Sequence, residues 1–76
     1  MKEELLKRIV INPKIMVGKP IIKGTRIPVD TIVRLIAQGM KIEDILDDYP
    51  NLSKEDIKAA LLYSAEVVSG EFVLPA

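Results

Sequence analysis

The pattern of apolar residues changes near Pro28. Before it, prolines and glycines interrupt short pieces rich in β-branched residues, as in strands and turns. Behind it, no proline or glycine occurs until Gly39. The sequence therefore predicts an irregular β-arm over residues 8–28, a helical core over residues 29–68 and a tail over residues 69–76.

The β-arm contains three candidate extended segments. Ile9–Ile11 consists of β-branched residues ended by Asn and Pro, which predicts a strand followed by a turn. Residues 15–17 are interpreted as a second short strand, and residues 21–27 as an extended segment bent at Gly24, where a missing Cβ permits a positive φ. Residues 1–7 are compatible with a helical turn or with loose chain.

Three helices are predicted behind the β-arm. In the first two, apolar residues recur at i, i+3, i+4 and i+7: Val29, Ile32, Val33 and Ile36, then Ile42, Ile45, Leu46 and Tyr49. Gly39 suits the end of the first helix, and Pro50 stops the second. Ser53 is a good N-cap for the third, with Asp56 three positions on completing a weak capping box.

The third helix carries more apolar residues than one buried face needs. Its predicted core side consists of Ile57, Ala60, Leu61, Ser64, Ala65 and Val68. Two interpretations remain open: a central core helix, or a helix whose second face is a protein interface. The candidate interface residues are Leu62, Tyr63 and Val67 with Phe72, Val73 and Leu74 of the tail. The tail either pairs back onto the β-arm or docks on a partner.

Composition restricts the chemistry. The 76 residues, 8.5 kDa, make one domain (1–76) and include no cysteine and no histidine. Disulfides, zinc fingers and Cys or His nucleophiles are thereby excluded, so neither an enzyme nor a cofactor is expected. A domain this small seldom gains more than about 3–5 kcal/mol from its core, which favours a homodimer or another protein partner. No segment has the roughly 18–20 apolar residues that span a bilayer, so we expect a cytoplasmic protein without membrane contact.

Charge is balanced overall and polarised along the chain. Residues 1–40 carry eight basic and three acidic side chains, whereas residues 41–76 carry three basic and eight acidic ones. The first half includes four cations without an intervening acid: Lys14, Lys19, Lys23 and Arg26. Such a segment can neutralise phosphates, or it can protect a strand edge against unwanted pairing.

The second predicted helix is acidic. Its carboxylates are Glu43, Asp44, Asp47 and Asp48. Three interpretations stay open: a solvated face, a docking surface for a basic partner, or a weak site for a divalent cation.

A short helix, a turn and a longer capped helix also form the layout of a helix-turn-helix. The helix that would enter a DNA groove begins with Ser53 and Lys54, and Lys58 follows one turn later. Glu55 and Asp56 stand between these lysines, and no Arg, Asn or Gln accompanies them, which makes a poor base reader.

The run from Gly18 to Val29, GKPIIKGTRIPV, resembles the signature of the domain-of-unknown-function 433 family. The resemblance continues at correct spacing through Gly39, Tyr49-Pro50 and Ala60-Leu61, and it covers most of residues 9–68. It implies a mainly α fold, a three-helix homeodomain-like helix-turn-helix bundle preceded by a short N-terminal β-arm or hairpin. It further implies a prokaryotic antitoxin of a type II toxin–antitoxin pair, whose usual partner is a PIN-like nuclease.

Two hypotheses about function follow. The first is a homodimeric antitoxin that binds operator DNA and neutralises a PIN-like toxin; the second is a protein-interaction module that pairs with such a nuclease without binding DNA. The resemblance assigns Gly24, Thr25 and Arg26 to a structural or binding turn. The candidate DNA-binding residues are Lys14, Lys19, Lys23, Thr25, Arg26, Ser53, Lys54 and Lys58.

Overall fold

The computed structural model describes residues 2–70 and is mainly helical, with one antiparallel hairpin near its N-terminus. The elements in chain order are α1 (Lys2–Leu6), β1 (Ile9–Ile11), β2 (Pro20–Ile22), α2 (Val29–Ala37), α3 (Ile42–Asp48) and α4 (Lys54–Ser69). The predicted order of a β-arm followed by three helices is confirmed, and α1 is a further helix in front of the arm.

The hairpin differs from the prediction in its second strand. β1 pairs with β2 in the register Ile9↔Ile22, Val10↔Ile21 and Ile11↔Pro20. The strand predicted at residues 15–17 is wrong: Met16–Gly18 is a 3₁₀ turn in the connecting loop, with positive φ at Met16 and Val17. Burial explains why residues 20–22, and not residues 15–17, pair with β1. Ile21 and Ile22 of β2 are almost completely buried, whereas Val17 is 97% exposed.

The core lies where the hairpin meets the helices. Its buried residues come from β2, α2, α3, the turn before α4 and α4 itself: Ile22, Val29, Ile32, Ile45, Leu52, Ile57 and Ala60. Every predicted helix therefore contributes at least one residue to a single cluster.

Predictions about the helix ends are confirmed. Gly39 follows α2 with a φ of +91°, in the left-handed region that glycine adopts at low cost. At the start of α4, the Ser53 hydroxyl accepts a hydrogen bond from the Asp56 amide at 3.2 Å, and the Asp56 carboxylate accepts one from the Ser53 amide at 3.0 Å. The capping box is complete, so α4 begins firmly after the turn.

The predicted core side of α4 is confirmed at Ile57 and Ala60, which are buried, and wrong at three other positions. Leu61, Ala65 and Val68 are exposed, while Asp56 and Glu66 are buried. The cause is α1, which packs along α4 and forms one ion pair between Lys2 and Glu66, while Arg8 just behind α1 forms another, of 3.0 Å, with Asp56. Lys2 at the start of α1 pairs with Glu66 near the end of α4, whereas Arg8 behind α1 pairs with Asp56 near the start of α4. The two helices are therefore antiparallel.

Candidate functional site

One exposed face of α4 combines two lysines with an apolar half. The residues fall at i, i+4, i+7, i+11 and i+14, which places them in one row along the helix; this row, the α4 stripe, consists of Lys54, Lys58, Leu61, Ala65 and Val68. Val68 is 87% exposed and Leu61 is 38% exposed. The helix that a helix-turn-helix protein would insert into DNA therefore presents an apolar surface over its second half.

An open apolar groove lies beside the stripe, between α2 and α4. Its volume is about 430 Å³, and its apolar walls include Val29, Val33, Tyr63, Val67 and Val68. Val68 belongs to both the groove and the stripe, so the two surfaces are continuous. Together they include the three exposed large apolar residues of α4, which are Leu61, Val67 and Val68.

The predicted interface residues are divided by the fold. Tyr63 packs against the core cluster, Leu62 is half-buried, and Val67 is 38% exposed in the groove wall. Phe72, Val73 and Leu74 lie outside the described residues. Sequence reasoning missed Leu61, Ala65 and Val68 as surface residues, because helical spacing does not show which apolar row faces the core.

Three charged side chains form the rim of the groove. Asp30 accepts hydrogen bonds from Lys19 at 3.4 Å and from Arg34 at 2.9 Å. Burial raises the pKa of Asp30, but the hydrogen bonds and charges of Lys19 and Arg34 outweigh it, so that the pKa lies below its ordinary value. Lys19, a candidate DNA contact, is thus engaged with Asp30 in this structure.

The turn from Gly24 to Ile27 is held by its own hydrogen bonds. Gly24 has a φ of +81°, which lets the chain reverse there. The Thr25 hydroxyl donates to the Ile22 carbonyl at 2.8 Å and accepts from the Ile27 amide at 3.0 Å. Thr25 therefore stabilises the turn from within, and Arg26 is left exposed at its tip.

A second, larger groove separates this turn from the α3–α4 connection. It has a volume of about 840 Å³ and an apolar floor that includes Val10, Ile15 and Ile21. Arg26 lines one side and Asp48 the other. Its two charged residues have opposite signs, which does not suit a phosphate-binding site.

The other candidate DNA-binding residues occupy two regions. Lys14 and Lys23 are exposed on the hairpin, and Lys54 and Lys58 are exposed on α4. Lys58 also lines a small cleft together with Glu4, Leu5, Arg8 and Glu55, where α1 approaches the start of α4. Ser53 uses its hydroxyl to cap α4. The candidate cations are therefore divided between two separate elements, the hairpin and α4.

The acidic side chains of α3 do not converge. Among residues 2–70, no group of three or more carboxylates is close enough together to hold a metal ion. Within the same residues, no helix is long and apolar enough to cross a membrane.

Sequence reasoning also missed the contacts between α1 and α4. Lys2 and Arg8 hold the buried carboxylates of Glu66 and Asp56. The signal in the sequence was Glu66, the one charged residue between Lys58 and Gly70, because a carboxylate that becomes buried on an apolar stretch of helix requires a cation.

Comparison with known proteins identifies the scaffold. The family model described as "Protein of unknown function (DUF433)" matches residues 9–64. A crystal structure of a DUF433 member from Anabaena variabilis superposes with a TM-score of 0.78 and 36% identity, over 88% of this chain and 66% of that one.

Two relatives share parts of the sequence. Uncharacterized protein y4eO of Sinorhizobium fredii is 36% identical over 53 residues, which are 70% of this chain. An uncharacterized protein of Archaeoglobus fulgidus is 63% identical over 30 residues, 40% of this chain and 83% of that protein. This chain spans only 24% of the Sinorhizobium protein and just under two thirds of the Anabaena one. Because the family model covers most of the chain, from the start of β1 into α4, the chain belongs to the DUF433 family.

Proposed function

We propose that this protein is an antitoxin-like binding module whose α4 stripe receives an apolar segment of a partner protein. The observation that carries the proposal is the exposure of Val68 and Leu61 on one face of the helix. Val68 forgoes most of the roughly 1.5 kcal/mol that burial of a valine contributes, and the partly exposed Leu61 forgoes a smaller share of its own burial. A partner that covers the face recovers that free energy.

The stripe and the groove specify the chemistry of the partner. Ala65 is small and lets a helix approach α4 closely, while the groove at Val67 and Val68 admits larger side chains. Lys54 and Lys58 continue the row towards the start of α4. The segment that fits is an amphipathic helix with an apolar centre and acidic residues at one end. A PIN-like nuclease, the partner implied by the family resemblance, is the proposed source of that helix.

Val68→Lys is expected to weaken binding of the partner at least tenfold. Burial of a lysine against an apolar segment costs more than the roughly 1.4 kcal/mol that corresponds to a factor of ten. The measurement is co-purification after co-expression, followed by calorimetric titration, with the product of the adjacent gene, which the proposal predicts to be a PIN-like protein.

Val17→Lys is the matched control, because Val17 is equally apolar and 97% exposed but lies in the hairpin loop. It is expected to bind like the unmodified protein. Equal affinity of the Val68 and Val17 variants would contradict the proposed role of the α4 stripe.

DNA binding is the second candidate function, and the exposed cations of the hairpin favour it. Lys14, Lys23 and Arg26 all reach solvent, and none of them forms an ion pair within residues 2–70. Cations so arranged can contact phosphates without reading bases. The start of α4 adds Lys54 and Lys58 next to an exposed Glu55, which weakens base-specific contact there.

Replacement of Lys14, Lys23 and Arg26 by Gln tests this second function. If DNA is bound, the slope of log affinity against log salt is expected to fall by about 0.9 for every phosphate that the variant no longer neutralises. The measurement is fluorescence anisotropy with the DNA upstream of the gene, between low and physiological salt. Lys41→Gln, at an exposed position before α3, serves as the control. Unchanged slope and affinity in the triple variant would exclude a hairpin contact with DNA.

A further inference from the structure

β1 has one backbone edge that the described chain does not use. The Arg8 carbonyl accepts a hydrogen bond from the Lys23 amide at 2.7 Å, so these residues form a hydrogen-bonded pair. Such pairs alternate with non-hydrogen-bonded ones in an antiparallel ladder. In this register, Val10 bonds to Ile21, whereas the N–H and C=O groups of Ile9 and Ile11 point away from β2.

A second hydrogen bond supports this assignment. The Ile22 amide donates to the Ile27 carbonyl at 3.0 Å, on the side of β2 that faces away from β1. Ile21 also forms an isolated bridge with Pro28. The far edge of β2 is therefore covered by the chain itself, and within residues 2–70 no backbone group bonds to the far edge of β1 at Ile9 or Ile11.

β1 itself carries none of the residues that usually protect an open edge, and its protection is limited to its short length and to Pro13, two positions beyond it. Proteins guard exposed strand edges with lysine, proline or a bulge, because unpaired N–H and C=O groups recruit another strand. β1 has the sequence Ile-Val-Ile, and Ile11 is 59% exposed. The lysines of the hairpin lie at positions 14, 19 and 23, outside β1. A two-stranded hairpin of three-residue strands is also marginal by itself, and further strands stabilise it.

We propose that this edge pairs with β1 of a second copy of the chain, antiparallel and about a two-fold axis at Val10. Ile9 then faces Ile11 of the second copy, and Ile11 faces its Ile9. Both pairs are hydrogen-bonded pairs, so the outward N–H and C=O groups of Ile9 and Ile11 in both copies form four hydrogen bonds. The two hairpins become one four-stranded sheet in the order β2, β1, β1, β2.

The second copy is the occupant because the edge is complementary to itself. The outward groups lie symmetrically on both sides of Val10, as an isologous contact requires. In the same register Arg8 faces Asn12 and Lys7 faces Pro13, so no two like charges are opposed. The exposed side chain of Ile11 gains a β-branched neighbour across the strands.

Ile11→Pro and Ile11→Lys test the pairing by analytical ultracentrifugation of the full chain at micromolar concentration. The unmodified protein is expected to sediment as a dimer. Proline removes the outward N–H and leaves the hydrogen bonds between Val10 and Ile21 in place, and it is tolerated at a strand edge. Lysine protects the edge by charge. Both variants are expected to be monomers with unchanged helical circular dichroism.

Two controls separate this contact from the others. Val17→Lys removes an apolar side chain from the same hairpin and is expected to remain a dimer. Val68→Lys is expected to bind the protein partner weakly and to remain a dimer. The dimer proposal is therefore tested separately from the proposed function. A Val68→Lys variant that is monomeric while both Ile11 variants stay dimeric would assign self-association to α4 and overturn the proposal.

Hydrogen exchange gives a second readout that does not depend on the variants. The amides of Ile9 and Ile11 are expected to become at least tenfold more protected as the concentration rises through the dimerisation range, whereas that of Lys23 is protected throughout. A monomeric unmodified protein, or a dimer with unprotected Ile9 and Ile11 amides, would overturn the proposal. So would a monomer that dimerises only after removal of residues 71–76, because the tail would then be the strand on this edge.

Discussion

Ile57→Ala is expected to lower the free energy of unfolding by about 2–5 kcal/mol, the usual cost of truncating a fully buried isoleucine. Ile57 is completely buried in the core cluster, at the first turn of α4. A domain of this size gains only about 3–5 kcal/mol in total, so the variant is expected to be largely unfolded at physiological temperature. Urea denaturation followed by circular dichroism measures the loss, if necessary in a stabilising osmolyte.

Leu61→Ala is the matched control, one helical turn further along α4. Leu61 is 38% exposed, and alanine favours the helix slightly, so the decrease in stability is expected to stay below about 1 kcal/mol. The pair also tests the orientation of α4, because the sequence pattern places both residues in the core. Equal decreases at Ile57 and Leu61 would contradict the packing of α1 against the opposite side of the helix.

Asp56→Ala is expected to cost about 1.5–3 kcal/mol, because it removes a capping interaction and an ion pair. One Asp56 oxygen accepts from the Ser53 amide, and the other accepts from Arg8. Removal of the carboxylate therefore weakens the start of α4 and its contact with the segment behind α1. The Arg8 side chain is 43% exposed, which keeps its share of the cost below about 1 kcal/mol.

Three further variants divide that cost between its causes. Ser53→Ala removes only half of the capping box, and Arg8→Ala removes only the ion pair. Glu55→Ala, one position before Asp56 and exposed, is expected to be close to neutral. A double-mutant cycle of Arg8 and Asp56 measures their coupling. If Asp56→Ala lowered the free energy of unfolding no more than Glu55→Ala does, neither the capping box nor the ion pair with Arg8 would stabilise the start of α4.

The two proposed contacts use different parts of the molecule. The edge of β1 serves a second copy, whereas the α4 stripe and the neighbouring groove serve a partner protein. The two surfaces also differ in charge. The β1 edge has no charged residue, whereas the α4 stripe has Lys54 and Lys58 at the N-terminal end of the helix. A dimer built through β1 would present two α4 stripes, and with them two partner sites.

The features that the sequence predicted correctly depend on local chemistry. Gly39 ends α2 because glycine adopts a positive φ at low cost, and Ser53 begins α4 because its hydroxyl reaches the Asp56 amide. The strand at Ile9–Ile11 follows from β-branched residues ended by Asn and Pro. Each of these features involves residues within four positions of one another.

The wrong predictions concern features that distant residues decide. Residues 15–17 have strand propensity, but the partner of β1 is the segment whose burial completes the core, and that segment is β2. Leu61 and Val68 follow the helical period as well as Ala60 does, and only the position of α1 shows which row faces inward. Propensity and periodicity describe an element, and they do not name its neighbour.

The mainly helical class, the order of the predicted elements, the caps of the helices and the family motif that joins β2 to α2 all follow from the sequence without a structure. The open face of α4, the unpaired edge of β1 and the cations that hold the buried acids follow only from tertiary packing. Those three properties depend on contacts between residues far apart in the chain, such as Arg8 with Asp56, and such contacts exist only once the core has formed.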